Sequence, residues 1–245
     1  MTTQYAHGKI VTDGLVLCLD AADPNSYPGT GTAWNDLSGN NNSGSLVNGP
    51  TFSSGDGGSI VFDGVDDYCT LPNIDTYSST AKFTIEGLVK PINGNWCRIF
   101  TNGSNGIPGG IAGFINTDLL VLTNSSKPYV YLRIGNSEII STQVSTITWD
   151  SQSFIMYFSF SVDKSTREGS YFFKFSQNNG LIQQELSNRF TSGTSTSFVE
   201  NRLGGETDNE NFMNMNLYSF KIYNRVLTQS EVLQNYNAQK SRFGL

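Results

Sequence analysis

Three carboxylates at alternate positions, Glu206, Asp208 and Glu210, are the residues whose types and spacing come closest to a reaction centre. Alternate residues of one β-strand project to the same face. Such a trio could therefore offer a cleft both a carboxylate nucleophile and a protonated general acid, the pair that glycoside hydrolysis uses. The same oxygens could instead surround a calcium ion, which takes carboxylate and carbonyl ligands. The neighbours argue against catalysis. A strand packed into a core needs apolar residues at the intervening positions, and here these are Thr207 and Asn209. Gly204-Gly205 before the segment and Asn211 after it have the composition of a loop. The segment reads as a solvated acidic turn with calcium as the ligand it could hold, and no residue of the chain is given a catalytic role.

Other chemistry is thinner. Asp63, Asp66 and Asp67 could also donate oxygens to calcium, although aspartates in turns commonly serve only their own backbone. His7 is the only histidine and stands in the N-terminal arm, so a Ser-His-Asp or Cys-His arrangement would depend on a chain end. Gly109-Gly110 is followed by no Gly-Lys-Ser/Thr and is no phosphate loop. Cys18, Cys69 and Cys97 are odd in number and lack CxxC spacing, which fits buried reduced thiols better than disulfides or zinc. Sugar recognition needs an aromatic face with amide side chains nearby. Trp96, flanked by Asn93 and Asn95, is the leading candidate platform, and Tyr129, beside Pro128 in an expected turn, is the second. Trp34 reads as a buried pin.

The elements that must position these residues are strands. Among 245 residues there are 25 glycines and 12% aromatics but only 15% charged residues, a composition of short strands joined by tight turns. The length allows one large all-β domain or two small ones, and nothing central resembles a linker. A net charge of -6 without Lys/Arg clusters excludes a phosphate-backbone partner, so no nucleic acid is expected. No apolar run approaches the roughly 18 residues of a membrane span, and the first residues lack the pattern of a signal peptide. Synthesis in the cytoplasm without membrane insertion is the expectation. The glycosylation sequons, such as Asn41-Asn42-Ser43, then carry no weight.

Leu15 to Leu19 is a nearly unbroken apolar run suited to a strand covered on both faces. Residues 24–52 read as a long ordered loop pinned by Tyr27, Trp34, Leu37, Leu46 and Val47. Ser59 to Asp63, the Asp63-Gly64 turn and the run from Tyr68 to Leu71 read as a hairpin, with Ile60 and Phe62 facing inward. From Ala81 to Lys90, Phe83, Ile85, Gly87 and Val89 share one face and Lys82, Thr84, Glu86, Leu88 and Lys90 the other; Pro91 is expected to end that strand. Further strands are expected at Arg98–Phe100, Gly113–Ile115, Leu119–Thr123, Tyr129–Ile134, Phe154–Val162, Tyr171–Phe175 and Leu217–Tyr223, about a dozen in all. In the last of these, Tyr218, Phe220 and Ile222 share a side. One helix is expected near the C-terminus, where Thr228-Gln229-Ser230-Glu231 is a capping box and Val232, Leu233 and Tyr236 share a face.

Taken together, Leu15 to Ala21, Ser26 to Trp34, Asp36-Leu37-Ser38-Gly39-Asn40, Asn48-Gly49-Pro50-Thr51, Phe62-Asp63-Gly64 and Tyr223 to Glu231 resemble the laminin-G-like, concanavalin A-like lectin/glucanase superfamily. The resemblance covers nearly the whole chain and is strongest to the version carried by structural proteins of tailed bacteriophages. Some relatives of that fold cleave β-glucans with a Glu-x-Asp-x-Glu strand, which Glu206 to Glu210 match literally. This chain departs from the pattern at Leu88, where the family often has tryptophan. It departs again at Phe154-Ile155-Met156-Tyr157, which replaces a Trp-His-His opening, while Asn179-Gly180 stands where the family has an Asn-Gly hairpin.

The resemblance implies an all-β, concanavalin A-like jelly-roll β-sandwich of two antiparallel sheets with one short C-terminal helix. The expected organisation is an N-terminal arm (1–9), a single domain (10–239) and a tail (240–245). The expected function is non-enzymatic: a multi-copy virion protein of a tailed phage (decoration, tail or fibre) that docks to other virion proteins and contacts host-surface glycans. A free-standing lectin is the alternative, and a glycoside hydrolase the third reading. No cofactor is required, with calcium the one ion the acidic loops could take.

Overall fold

The computed structural model describes residues 4–5, 8–75, 81–93, 97–102, 117–122, 129–134, 137–143, 154–176, 178–187, 200–205 and 212–243; before residue 9, at 93, 97 and 102, and within 117–143 and 178–187 it describes the backbone alone. The strands are β1 (Gln4–Tyr5), β2 (Gly8–Lys9), β3 (Leu15–Asp20), β4 (Ala33–Trp34), β5 (Gly44–Val47), β6 (Thr51–Ser53), β7 (Ser59–Asp63), β8 (Tyr68–Leu71) and β9 (Lys82–Asn93). They continue as β10 (Cys97–Asn102), β11 (Thr117–Leu122), β12 (Tyr129–Ile134), β13 (Ser137–Gln143), β14 (Met156–Asp163), β15 (Glu168–Phe175), β16 (Asn178–Ser187), β17 (Asn201–Leu203) and β18 (Asn214–Tyr223). Helix α1 (Gln229–Gln239) follows, then a 3-10 turn at Lys240–Arg242. The count exceeds the expected dozen because several strands are too short to show an alternation.

Two antiparallel sheets form the sandwich. One runs β13-β12-β11-β10-β17-β8-β5-β4 and the other β16-β15-β14-β9-β18-β7-β6, with β3 paired to the second half of β18. The inner faces bury Trp34, Phe62, Phe83, Phe100, Phe158 and Phe160 in one core, none of them measurably exposed. The all-β sandwich with one short C-terminal helix is as the sequence predicts.

A second apolar cluster lies outside the sheets. Leu15, Cys18, Leu88, Tyr157, Phe172 and Tyr218 pack against Val232, Tyr236 and Phe243 from α1 and the residues after it. Strand β3 is therefore covered on both faces, with Leu17 and Leu19 in the sandwich and Leu15 and Cys18 under the helix. Residues of the expected tail are packed as well: Phe243 lies edge-on to Tyr218, and Arg242 Nη1 reaches both Asp20 oxygens at 3.0 and 2.8 Å.

Several details differ from the sequence expectations, each for a stateable reason. Strands β7 and β8 are not a hairpin. Both ladder edges of β7 are taken, by β6 and by β18, so the chain leaves Asp63 and enters the opposite sheet, where β8 pairs with β5 and β17. Pro91 does not end β9. Beyond Val89 that strand pairs with β18 only, so a residue without an N–H leaves no β14 acceptor unmet. Tyr218 does not face the same way as Phe220 and Ile222, because the ladder slips between Leu217 and Ser219, a bulge that turns Tyr218 towards the helix. Asn179 and Gly180 are extra residues between the pairs Phe175–Asn178 and Lys174–Leu181, a bulge rather than a turn. The expected loop over 24–52 contains β4, β5 and part of β6. The strand expected at Gly113–Ile115 lies outside the described residues.

Candidate functional site

The predicted site residues fall at the margins of what is described. Asn93 closes β9 opposite Asn214, while its side chain, Asn95 and Trp96 lie outside the described residues. Tyr129 opens β12 opposite Leu122 and Gln143, so it is a strand residue rather than a turn residue, and its side chain is likewise outside. Glu206, Asp208 and Glu210 lie outside the described residues, as does His7. Trp34 is fully enclosed, which bears out its reading as a pin. Cys18 and Cys69 are buried thiols that form no disulfide, and burial pushes the Cys69 thiol up, away from reactivity.

Three arrangements in the described residues involve concentrated polar chemistry. The first is enclosed. Glu86 on β9 and Lys221 on β18 stand opposite each other on the outer face of their sheet, and α1 covers both completely. Asn235 donates to Glu86 Oε2 at 2.8 Å and to the Tyr223 hydroxyl at 2.9 Å, while its own oxygen accepts from Val11 N at 2.7 Å. Gln239 Oε1 accepts from Lys221 Nζ and from Ser219 Oγ, both at 2.9 Å. Burial raises the Glu86 carboxyl to about 7, with Lys221 and the Tyr157 and Ser159 hydroxyls pulling it down. Those two hydroxyls are near enough to favour the ionised form, yet neither completes a well-formed hydrogen bond to Oε1. This network fixes the helix on the sheet and meets no solvent. Asn235 and Gln239 are spaced i, i+4 beside Val232 and Tyr236, and that spacing is the signal by which the sequence could have placed them inward.

The second arrangement is open. At the end of the sandwich where β18 runs out, a groove of about 220 Å³ is lined by Val16, Asn42, Asn73, Ile74, Asp75 and Asn224, among others. Its walls are held from below. Asn42 donates to Val16 O at 2.7 Å, and Asp36 accepts from Cys18 N, Ser38 N and Asn42 N, which locks the 36–42 loop along β3. Asn201 donates to Pro72 O and Ile74 O at 2.8 and 3.3 Å, and Asn224 N bonds Gly14 O at 2.9 Å. Near Asp75, Lys164 is almost fully covered, its ammonium 5.6 Å from the centre of the Phe83 ring; burial lowers it to about 7 while Asp75 opposes the shift. Amides and a carboxylate over an aliphatic floor can bind a small polyhydroxylated ligand, and the groove is smaller than the roughly 300–1,000 Å³ of sites for drug-sized molecules. Sequence reasoning missed these residues because four separate stretches of the chain, two of them strand ends, supply them.

The third is the turn Asp63 to Asp67, at the opposite end of β18. Its three carboxylates offer oxygens within 4.8 Å of one another. Asp67 Oδ2 accepts from Asp63 N at 3.0 Å and Asp63 Oδ1 from Val65 N at 2.8 Å, the local bonding that the turn chemistry predicts.

No protein-family model matches the chain. No curated protein sequence matches it either. Solved structures do. Domain 4 of AbnA, an extracellular GH43 arabinanase of Geobacillus stearothermophilus solved with arabinotriose, superposes with a TM-score of 0.59 at 15% identity over 92% of this chain and 98% of that domain. Trypanosoma rangeli sialidase with sialic acid gives 0.61 at 15% identity over 97% of this chain, which spans 35% of the sialidase. The binding domain of Paraclostridial Mosquitocidal Protein 1 gives 0.56 at 16% over 95% of this chain and 55% of that one. At such identities the likeness is one of fold, and the chain is an all-β sandwich of the kind found within these arabinanase, sialidase and mosquitocidal-protein structures.

Proposed function

We propose that this chain is a non-enzymatic recognition module, a rigid sandwich carried on a larger assembly that binds a terminal sugar of a surface glycan in the groove at the end of β18. The observation that carries the reading is the groove itself, where Asn42, Asn73, Asp75 and Asn224 surround the aliphatic Val16 and Ile74. Sugars are held by such pairings of hydroxyl-reading polar groups with apolar ring faces, on loops fixed by a rigid scaffold. The arabinotriose complex of a similarly folded domain supports the same class of ligand. Two buried acids are engaged away from the groove: Glu86 lies under α1, and Asp20 is paired with Arg242.

The assembly we propose is a tailed-phage virion, from the motif resemblance, with the chain docking to other virion proteins in many copies. Multiplicity has a physical use here. At about -0.3 kcal/mol per non-hydrogen atom, one sugar ring binds at about millimolar strength, and linked copies raise avidity by roughly 10²- to 10⁴-fold. A glycan array with multimerised protein tests the binding. Asp75→Ala and Asn224→Ala should each weaken the retained glycan roughly tenfold, and unchanged binding in both would move the site elsewhere. A reducing-sugar assay should show no hydrolysis; turnover abolished by Glu206→Gln or Glu210→Gln would make the chain a glycosidase. Copurification with particles separates the virion module from a free-standing lectin.

A further inference from the structure

Lys221 on β18 and Glu86 on β9 are paired directly across the ladder, so their Cβ atoms stand about 4.5–5.5 Å apart on a face that α1 seals. Among the described residues Lys221 makes no direct ion pair; its Nζ donates to the Gln239 amide oxygen instead. An ammonium enclosed in this way is costly, and handing its proton to Glu86 discharges both groups at once. Burial already draws Glu86 towards its protonated form, with the carboxyl at about 7. The amine left behind is a nucleophile.

An amide carbonyl is placed to receive it. Gln239 Oε1 accepts from Lys221 Nζ and from Ser219 Oγ, both at 2.9 Å. At that separation Nζ lies roughly 3.2 to 4.1 Å from the carbonyl carbon, close to the about 3–3.5 Å of a near-attack pair. The Ser219 hydroxyl stays on the oxygen as negative charge develops there. Gln239 Nε2 donates to Asn235 O at 3.1 Å, which fixes the amide plane. Asn235, the other enclosed amide, accepts from Val11 N and donates to Glu86 and Tyr223, with no bond to Lys221. Water, the competing nucleophile, is kept out, since Lys221, Glu86, Asn235 and Gln239 are all 0% exposed.

We propose that Lys221 and Gln239 join in an intramolecular amide that ties the end of α1 covalently to β18. Lys221 Nζ forms a bond to Gln239 Cδ, the Cδ–Nε2 bond breaks, and the released nitrogen departs. The attacking ammonium sheds two protons and the departing nitrogen gains two, leaving as ammonium; Glu86 carries them in turn. No oxidant, reductant or outside reagent enters. Glu86 ends as it began, a buried acid that still titrates.

The test is the mass of the intact, denatured chain, followed by peptide mapping. The expected mass is below that of the sequence by one ammonia, with the peptide that contains Lys221 linked to the one that contains Gln239. Gln239→Glu is close in size but offers no amide nitrogen to release, and should keep its full mass. Glu86→Gln retains both reacting groups and should slow the loss of ammonia by roughly 10²- to 10⁴-fold in a chain that still melts cooperatively. Full mass in the unsubstituted chain after a week at neutral pH, or a link that maps to Asn235, overturns the assignment. A link formed as fast in Glu86→Gln overturns the part given to Glu86, and if that variant does not fold, the unsubstituted chain and Gln239→Glu decide the matter.

Discussion

At the scale of single residues, two buried ionisable groups give the protein an unusual pH profile. Glu86 titrates at about 7 in the fold against 4.5 unfolded. Its folded form binds the extra proton, so the stability it contributes is fully present below about 4.5 and is lost as pH rises through about 7. Lys164 moves the other way, to about 7 from 10.5, so the cost of its buried charge is present below about 7 and fades between there and 10.5. The two together predict a stability minimum near neutrality, with limbs on the order of 1 to 3 kcal/mol each. Urea unfolding at about pH 5, 7 and 9 checks this; Glu86→Gln should flatten the lower limb and leave the upper one. A lower limb unchanged in that variant would refute the assignment. The alternation along β9 put Glu86 opposite the inner-facing residues, and that was legible. What it could not convey is that the outer face is also buried, because the covering helix arrives from residues 229–239.

At the scale of elements, local chemistry was read reliably and pairing was not. The capping box forms as written: Glu231 N donates to Thr228 Oγ1 at 3.4 Å, and Thr228 N donates to Glu231 Oε2 at 2.8 Å. Arg225 adds a bond to Glu231 Oε1 at 2.6 Å, which holds that carboxyl down at about 2. Thr228→Ala should therefore cost about 1 kcal/mol and lower Tm by roughly 2 to 4 °C, readable in a thermal melt. The Asp63-Gly64 turn was equally legible as a turn, with Gly64 at φ 79°, but the same residues serve a hairpin or a passage between sheets. The choice was made by β18, some 150 residues later in the chain, which occupies the edge of β7 that β8 would have needed. Strand β9 has a similar hidden constraint. A Cβ on Gly87 would lie 2.5 Å from Phe158 Cζ and 3.0 Å from Ser219 O, so Gly87→Ala should destabilise by about 1 to 3 kcal/mol through overpacking, measured by urea unfolding.

At the scale of the whole molecule, β18 spans the distance between the acidic turn and the groove. Its first residue, Asn214, pairs with Asp63 at the acidic turn, and its last, Tyr223, leads into Asn224 at the groove. Ten residues at about 3.3 Å each put the two ends roughly 30 Å apart. Between them the strand is clamped by β9 on one edge and by β7 and β3 on the other, inside a core of close-packed aromatics. A sandwich built this way has no second packing to switch into, and sites so separated act additively within about 0.5 kcal/mol. Asp66→Asn, at the far end of β18, should therefore change glycan affinity by no more than about twofold. Calorimetry of that variant with the retained glycan checks this. A coupling of tenfold or more would mean that β18 transmits strain along its length, and the clamped strand would have to be regarded as a moving part rather than a spacer.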